Sequence, residues 1–390
     1  MGYWEEKRNK LISQLPTLLD ILDQISLREE LFYLKPSHFK GVFPTYYQEG
    51  MFSTMLDADG RTQLWPMGLL PFTYYRGQSQ YFPLCKPSLY RKGTRKNPML
   101  TMTPSKVFLE RLRACELELV MQKHPMNDIF HHGTRLTYPD GTEENISLSI
   151  DYLALAQHYG ICTELLDLTV DKWVAAFFAC TKYVNGEYKP VTDANSYGVF
   201  YEIYEQTHDM MPGVTAAARK IRAIGLQPFS RPGEQAGFVY TMTKDQNFNR
   251  LCNKKIKFRH DPKVSELIFN YANRSKKLFP YELLQEKAEV IKSHTTFSRS
   301  AYNMAIARYF SDTPSEQIDV WCKDQNIHLQ DQPLTSFTDE ERATFMKAWP
   351  QNAPSFYSRI YVRYSYTGPM KEVSKEEFYT EPFRNARRMI

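Results

Sequence analysis

Arg76 stands between an aromatic pair and a glycine, in Tyr74-Tyr75-Arg76-Gly77-Gln78. Tyr-Tyr favours a strand, and Gly-Gln marks a point where backbone or ligand can come close. A guanidinium that turns inward here has two uses. It clamps an anion through its planar fork, or it pairs with a carboxylate, for which Asp167 is the candidate. The downstream "PSLYR" (87–91) belongs with this segment, and three more stretches could do chemistry: "QHYGICTELLDLT" (157–169), "WVAAFFA" (173–179) and "RPGEQAGFVY" (231–240). Each candidate also has a plain structural use. His158 and Tyr159 fall at a helix C-terminus, where a histidine bonds the last carbonyls. Asp167 and Thr169 can cap the helix that begins near Asp171. Gln235-x-Gly237 reads as a turn with a satisfied amide, and Glu234, after Pro-Gly, as an exposed loop acid.

Other chemistries lack their motifs. The chain has no GxGxxG opening a helix after a strand, no GxxxxGK[ST], no HExxH and no GxSxG. His131-His132 has no partner at ligand spacing, so no metal is expected. The six cysteines are scattered without a CxxC pair, which reads as reduced, mostly buried thiols.

The elements that must position these side chains follow from periodicity and capping. Residues 1–35 read as helical, interrupted by Pro16, and 69–78 as a strand entering a turn. A helix over 103–125 has Thr103 or Ser105 as cap and Pro125 as stop. Residues 136–150 carry a Pro-Asp-Gly turn, and 149–160 form a helix with Asp151 in its first turn and Gly160 as C-cap. An apolar strand over 161–169 leads to a helix over 171–184 that is apolar nearly all round. Residues 196–205 read as a strand, 215–228 as helix-like, and 229–243 as a loop entering a strand. "NKKIKFRH" (253–260) suggests one more strand, 280–350 is mainly helical, and 355–368 alternates like a strand.

These segments resemble the FRG-domain family, named for a Phe-Arg-Gly motif that stands here as Tyr75-Arg76-Gly77. Its second hallmark is similar to Gln157-His158-Tyr159-Gly160, Thr163-Glu164-Leu165-Leu166-Asp167-Leu168-Thr169 and Ala175-Ala176-Phe177-Phe178-Ala179. A weaker third one resembles Arg231, Gln235, Gly237 and Phe238. Cys162, Glu164 and Leu168 depart from the family's Pro, Arg and Trp, and Glu164 would repel a phosphate. The likeness covers about 70–245. The order of elements also resembles the ADP-ribosyltransferase fold, which implies NAD as the cofactor. That likeness puts Arg76 at the ribose or pyrophosphate, with Gly77, Gln78, Tyr159, Thr163, Asp167 and Arg231 around the dinucleotide. It makes Tyr159 a stacking surface for nicotinamide, His158 a base or a ribose-orienting group, and Glu234 or Gln235 the group facing the anomeric carbon.

Composition sets the outer bounds. With 390 residues, 42% hydrophobic and 24% charged, the chain is that of an ordinary globular protein. No run approaches the ~20 apolar residues of a membrane span, and the N-terminus lacks a signal peptide's apolar centre, so a cytoplasmic location is expected. A net charge of +5 and 14% aromatic residues leave a second class of function open. "YRKGTRKN" (90–97), "NKKIKF" (253–258), "NRSKK" (273–277) and "RNARRMI" (384–390) are basic and lie beside aromatics, as a nucleic-acid groove would need. Solvated loops and a charged tail are their plain reading.

The expectation is therefore an α+β fold with a mixed or antiparallel sheet flanked by helices. It divides into an N-terminal helical segment (1–35), an FRG domain (36–260) and a mainly helical C-terminal region (261–390). The expected function is an NAD-dependent ADP-ribosyltransferase-like enzyme acting on a protein or nucleic-acid target, with a toxin or phage-defence role suggested by what such folds do in bacteria. The alternative is a non-enzymatic module that binds nucleic acid or protein.

Overall fold

The computed structural model describes residues 3–34, 50–56, 62–66, 73–91, 101–132, 134–137, 143–204, 220–227 and 229–360. Strands β1 (Phe52–Leu56) and β2 (Thr62–Pro66) form a hairpin, followed by β3 (Thr73–Gln78). A second hairpin pairs β4 (Thr134–Thr137) with β5 (Glu143–Ile146), and β6 (Leu165–Thr169) follows. A third joins β7 (Thr181–Val184) to β8 (Glu187–Pro190). Then come β9 (Tyr197–Tyr204), β10 (Ile221–Ala223), β11 (Gly237–Thr241) and β12 (Lys254–Arg259), and a short parallel pair, β13 (Thr296–Ser298) with β14 (His328–Gln330).

Six of these strands make the central sheet, in the order β10-β11-β6-β3-β9-β12. Every neighbouring pair in it is antiparallel. The fold is α+β. One face of the sheet packs on the helices Leu18–Leu34, Lys172–Cys180 and Pro262–Tyr271. The other buries Tyr74, Leu166, Leu168, Tyr201 and Phe238 against Trp65 of β2, Cys85 and Phe248. Helix Pro104–Gln122 anchors a separate helical layer made with Tyr152–His158, Leu283–Ser293, Arg299–Tyr309 and Ser315–Asp324.

Local sequence explains most boundaries. Thr103 accepts from the Lys106 amide, Asp151 from Ala154, and Asp171 from Trp173 and Val174, so each helix starts where its cap residue stands. Gly160 takes a φ of +86°, as a glycine closing a helix should.

Three expectations are corrected. In the stretch expected to be helix-like over 215–228, Ile221–Ala223 is a strand paired with β11, because that pairing buries Ile221 and Ala223. The helix expected over 171–184 ends at Cys180, and 181–190 turns back as the third hairpin. The strand expected over 355–368 is helix as far as Tyr357. That helix, Asp339–Tyr357, starts at a capping box of Thr338 with Glu341 and carries Pro350 and Pro354 within it. Residues from 361 onward, the basic 384–390 included, lie outside the described residues, as do 92–97 of the first basic stretch. Among the described residues no helix is long and apolar enough to cross a membrane.

Candidate functional site

The sheet is split at its centre. β3 pairs with β9 along its whole length, from Thr73↔Tyr204 to Gln78↔Val199, and β6 pairs with β11 from Thr169↔Gly237 to Leu165↔Thr241. Between the two halves the register has a single pair, Tyr75↔Thr169. Continued by two residues, that register would set Asp167 opposite Gly77 and give the Asp167 carbonyl a strand amide. Instead the Arg76 side chain enters the gap, and its Nη1 donates to the Asp167 carbonyl at 2.7 Å. The inward guanidinium is thus a wedge holding two strands apart. It does not form the ion pair with the Asp167 carboxylate that the sequence allowed.

Gly77 makes this geometry possible. A Cβ there would lie 1.8 Å from the Ala175 carbonyl oxygen and 2.7 Å from the Ala179 amide. The helix Lys172–Cys180 can sit directly on β3 because Ala175, Ala176 and Ala179 are small and Gly77 has no side chain.

Asp167 is the centre of the cluster. Its side chain keeps 45% of its surface exposed, while His158 beside it keeps 3%. His158 Nε2 lies 3.7 Å from Asp167 Oδ1, and neither atom has a hydrogen-bond partner. Gln157 donates to Asp167 Oδ2 at 3.3 Å and accepts from the Thr163 hydroxyl at 2.6 Å. Arg231 donates to the His158 carbonyl at 2.9 Å, and its guanidinium lies 4.7 Å from the Tyr159 ring and 5.3 Å from that of Phe279. Burial pushes the His158 pKa below its usual value against the pull of Asp167, so the ring is neutral at pH 7.

Arg91 lies close enough to feel the charges of Arg76 and Asp167. It keeps contact with solvent, yet the protein packed around it, and next the charge of Arg76, push its pKa down. Among the described residues neither Arg76 nor Arg91 is in an ion pair. Arg76 Nε and Arg231 Nε are buried without partners.

The other expected site residues are placed as follows. Thr163 is fully buried and spends its hydroxyl on Gln157 and the Leu165 amide. Tyr159 is 1% exposed, and its hydroxyl donates to Glu282. Its ring therefore offers no open face for stacking, because Arg231 covers it. Gln78 donates to Cys85 Sγ and accepts from the Tyr201 hydroxyl. Gln235 is buried, with its amide on the Leu278 carbonyl at 2.9 Å. Glu234 pairs with Arg359 at 2.8 Å and lines a shallow cleft with Trp173, Tyr271 and Lys277. The split thus gathers Arg76, Gln157, His158 and Asp167, while Glu234 and Gln235 are engaged elsewhere. Glu164 does not face the recess as a bare charge, because Arg111 pairs with it. Sequence reasoning left Gln157 without a role, although its place beside His158 in a helical turn was readable.

Among the described residues no three or more His, Cys, Asp or Glu gather where a metal ion could sit. All six cysteines are unbridged.

No curated protein and no solved structure matches the chain significantly. Residues 72–187 match the family model described as FRG domain. That span contains the Arg76 wedge, the Gln157–Gly160 turn, Asp167 and the alanine-rich helix, while Arg231 and Gln235 lie beyond it. The residues that split the sheet are those of the matched span, and the chain carries an FRG domain.

Proposed function

We propose that the split between β3 and β6 is a nucleotide site, and that the protein is an ADP-ribosyltransferase-like enzyme that uses NAD to modify a macromolecular target. One observation carries the reading: the Arg76 guanidinium enters the split in no ion pair among the described residues and meets the strand that carries the half-open carboxylate of Asp167. A cation held in a recess without a carboxylate partner favours an anionic ligand there. A phosphate oxygen suits the donor capacity of the Arg76 guanidinium that the Asp167 carbonyl leaves free.

Asp167 takes the role first assigned to Glu234 or Gln235, because it is the carboxylate in the recess. As the C1′–N bond breaks, nicotinamide leaves with the bonding electrons and the ribose gains oxocarbenium character, which a carboxylate stabilises. The target's nucleophile then forms the new bond to C1′ and gives up its proton. Gln157 positions Asp167 by donating to its Oδ2, and neutral His158 lies beside the unbonded Oδ1. The order of elements, which resembles that of ADP-ribosyltransferases, supports the same reading.

A binding module without chemistry is the second reading. The burial of His158, Tyr159 and Thr163 favours it, since none of them can touch a ligand in this conformation.

A thermal shift with NAD and ADP-ribose, combined with an assay of nicotinamide release, separates the two. NAD at 100 times its Kd should add ~2.7 kcal/mol of stability to the wild type and nothing to Arg76→Ala. Asp167→Asn should keep the shift and lose about 100-fold or more in nicotinamide release. A shift without release selects the binding module. No shift with either nucleotide removes NAD from this recess.

A further inference from the structure

The shallow cleft beside the helix Pro262–Tyr271 is apolar within and positive around. Trp173 and Tyr271 form its rim, with ring centroids 5.7 Å apart and planes at 42°. Its floor is aliphatic, made of Val174, Ile268, Ala272 and Leu278. An exposed stripe leads into it. Lys263, Leu267 and Tyr271 stand at i, i+4 and i+8 of the helix and so share one face, on which Leu267 is 60% and Tyr271 54% exposed. The charged groups in the cleft are engaged within the protein. Asp171 is 6% exposed and accepts from the Trp173 and Val174 amides, and Glu234 pairs with Arg359. Lys277 lies 5.0 Å from the Tyr271 ring centroid. Residues 262–280 carry four cations, Lys263, Arg274, Lys276 and Lys277, against one carboxylate, Glu266. Among the described residues Lys263, Arg274 and Lys276 are exposed and in no ion pair.

We infer that the cleft and its stripe are the docking surface for an acidic protein segment, which seats one apolar side chain in the cleft. Charge complementarity sets the sign of the partner: three cations without carboxylate partners favour acidic neighbours. The floor selects protein over nucleic acid. Aliphatic groups take up an apolar side chain, while two rings this close and this tilted admit no base between them. Surface charge also serves solubility, but that use gives no reason for an exposed leucine and tyrosine on one helix face beside an apolar floor. The cleft adjoins the split as well. Asp171 in its wall stands four residues after Asp167. Leu278 in its floor is followed by Phe279, whose ring lies 5.3 Å from the guanidinium of Arg231, which in turn donates to the His158 carbonyl. The inference names the class of target for the enzyme proposed above. It rests on that reading only for what is done to the docked partner, since docking needs the cleft alone.

Fluorescence anisotropy with labelled poly(Glu,Tyr), an acidic copolymer that supplies aromatic anchors, tests it on the full-length chain, with poly-glutamate and oligo(dT) as competitors. Wild type should bind poly(Glu,Tyr) about 10-fold more tightly than poly-glutamate, the difference made by one buried ring. The affinity should fall as salt rises. Tyr271→Ala should abolish the preference for poly(Glu,Tyr), and Tyr271→Phe should keep it. Leu267→Ser, at a side chain too exposed for the fold to depend on it, should weaken binding with an unchanged urea midpoint. Lys263→Gln/Lys276→Gln should lose about 5-fold, while a pair of equal charge on the sheet edge, Lys255→Gln/Lys257→Gln, should bind as wild type. None of these variants should change the NAD thermal shift, so a failed NAD site and a failed docking surface are told apart. Absence of poly(Glu,Tyr) binding by wild type, equal affinity for poly-glutamate, or equal losses in the two lysine pairs overturns the inference. Displacement by oligo(dT) as effective as by unlabelled poly(Glu,Tyr) also overturns it and makes a nucleic acid the partner.

Discussion

Gly77 has no room for a methyl group, and this one absence decides how close the helix Lys172–Cys180 can come to β3. The obstruction is backbone, the Ala175 carbonyl and the Ala179 amide, so no rotamer change relieves it. Gly77→Ala should therefore cost at least ~3 kcal/mol, read as a fall in the urea midpoint or as loss of soluble protein. Gly186 gives the contrast: a Cβ there meets nothing within 4 Å, but its φ is +85°. Gly186→Ala should cost only ~1 kcal/mol, from backbone strain alone. At this scale the sequence made the arginine's inward turn legible, because strand formers precede it and a glycine follows. It left open what the guanidinium meets. The partner is a backbone carbonyl, and every residue has one, so no residue type could announce it.

At the scale of elements, Glu282 ties the C-terminal helical region to the hallmark turn. Its carboxylate accepts from the Tyr159 hydroxyl, from the Ser230 amide and, at 2.9 Å, from the Ser230 hydroxyl. One side chain thus joins the end of helix Tyr152–His158, the start of helix Ser230–Glu234 and the segment leading into Leu283–Ser293. Glu282→Gln keeps the shape but replaces one acceptor oxygen by an NH₂ that faces a donor. It should cost ~2–3 kcal/mol in urea unfolding, and a double-mutant cycle with Tyr159→Phe should give a coupling of ~1 kcal/mol or more. Independent additivity would mean that the hydroxyl does not depend on the carboxylate. The helices themselves were legible from Thr103, Asp151 and Asp171, whose side chains cap locally. The strand Ile221–Ala223 was not, because its preference for β11 comes from a partner distant in sequence.

Over the whole molecule, buried histidines set the response to acid. His124 is enclosed by the rings of Phe229, Phe337 and Phe345 at 4.8–4.9 Å, and its Nδ1 accepts from the Met126 amide. Burial first, and Arg342 next, push its pKa down to about 4. Burial also lowers His158 and His260. The unfolded chain protonates these rings near the ordinary ~6.5, whereas the folded protein keeps them neutral. The unfolded state then binds more protons, so stability is full above that value and is lost as pH falls toward 4. His124 alone should contribute a loss of ~3 kcal/mol by about pH 4. Urea midpoints that do not fall between about pH 7 and about pH 5 would contradict this.

What the sequence determined by itself was local: the caps, the aromatic strand Tyr197–Tyr204, the glycines, and the family motif with its arginine, histidine and aspartate. These are properties of neighbouring residues, and short-range sterics and hydrogen bonds enforce them. The tertiary structure alone decided that β3 and β6 share the single pair Tyr75↔Thr169 and that the Arg76 guanidinium meets the Asp167 carbonyl. It also decided that Glu234 is taken by Arg359, more than a hundred residues away in the chain. Strand pairing and ion pairing act through space, and which partner a side chain finds depends on how the whole sheet and its covering helices pack.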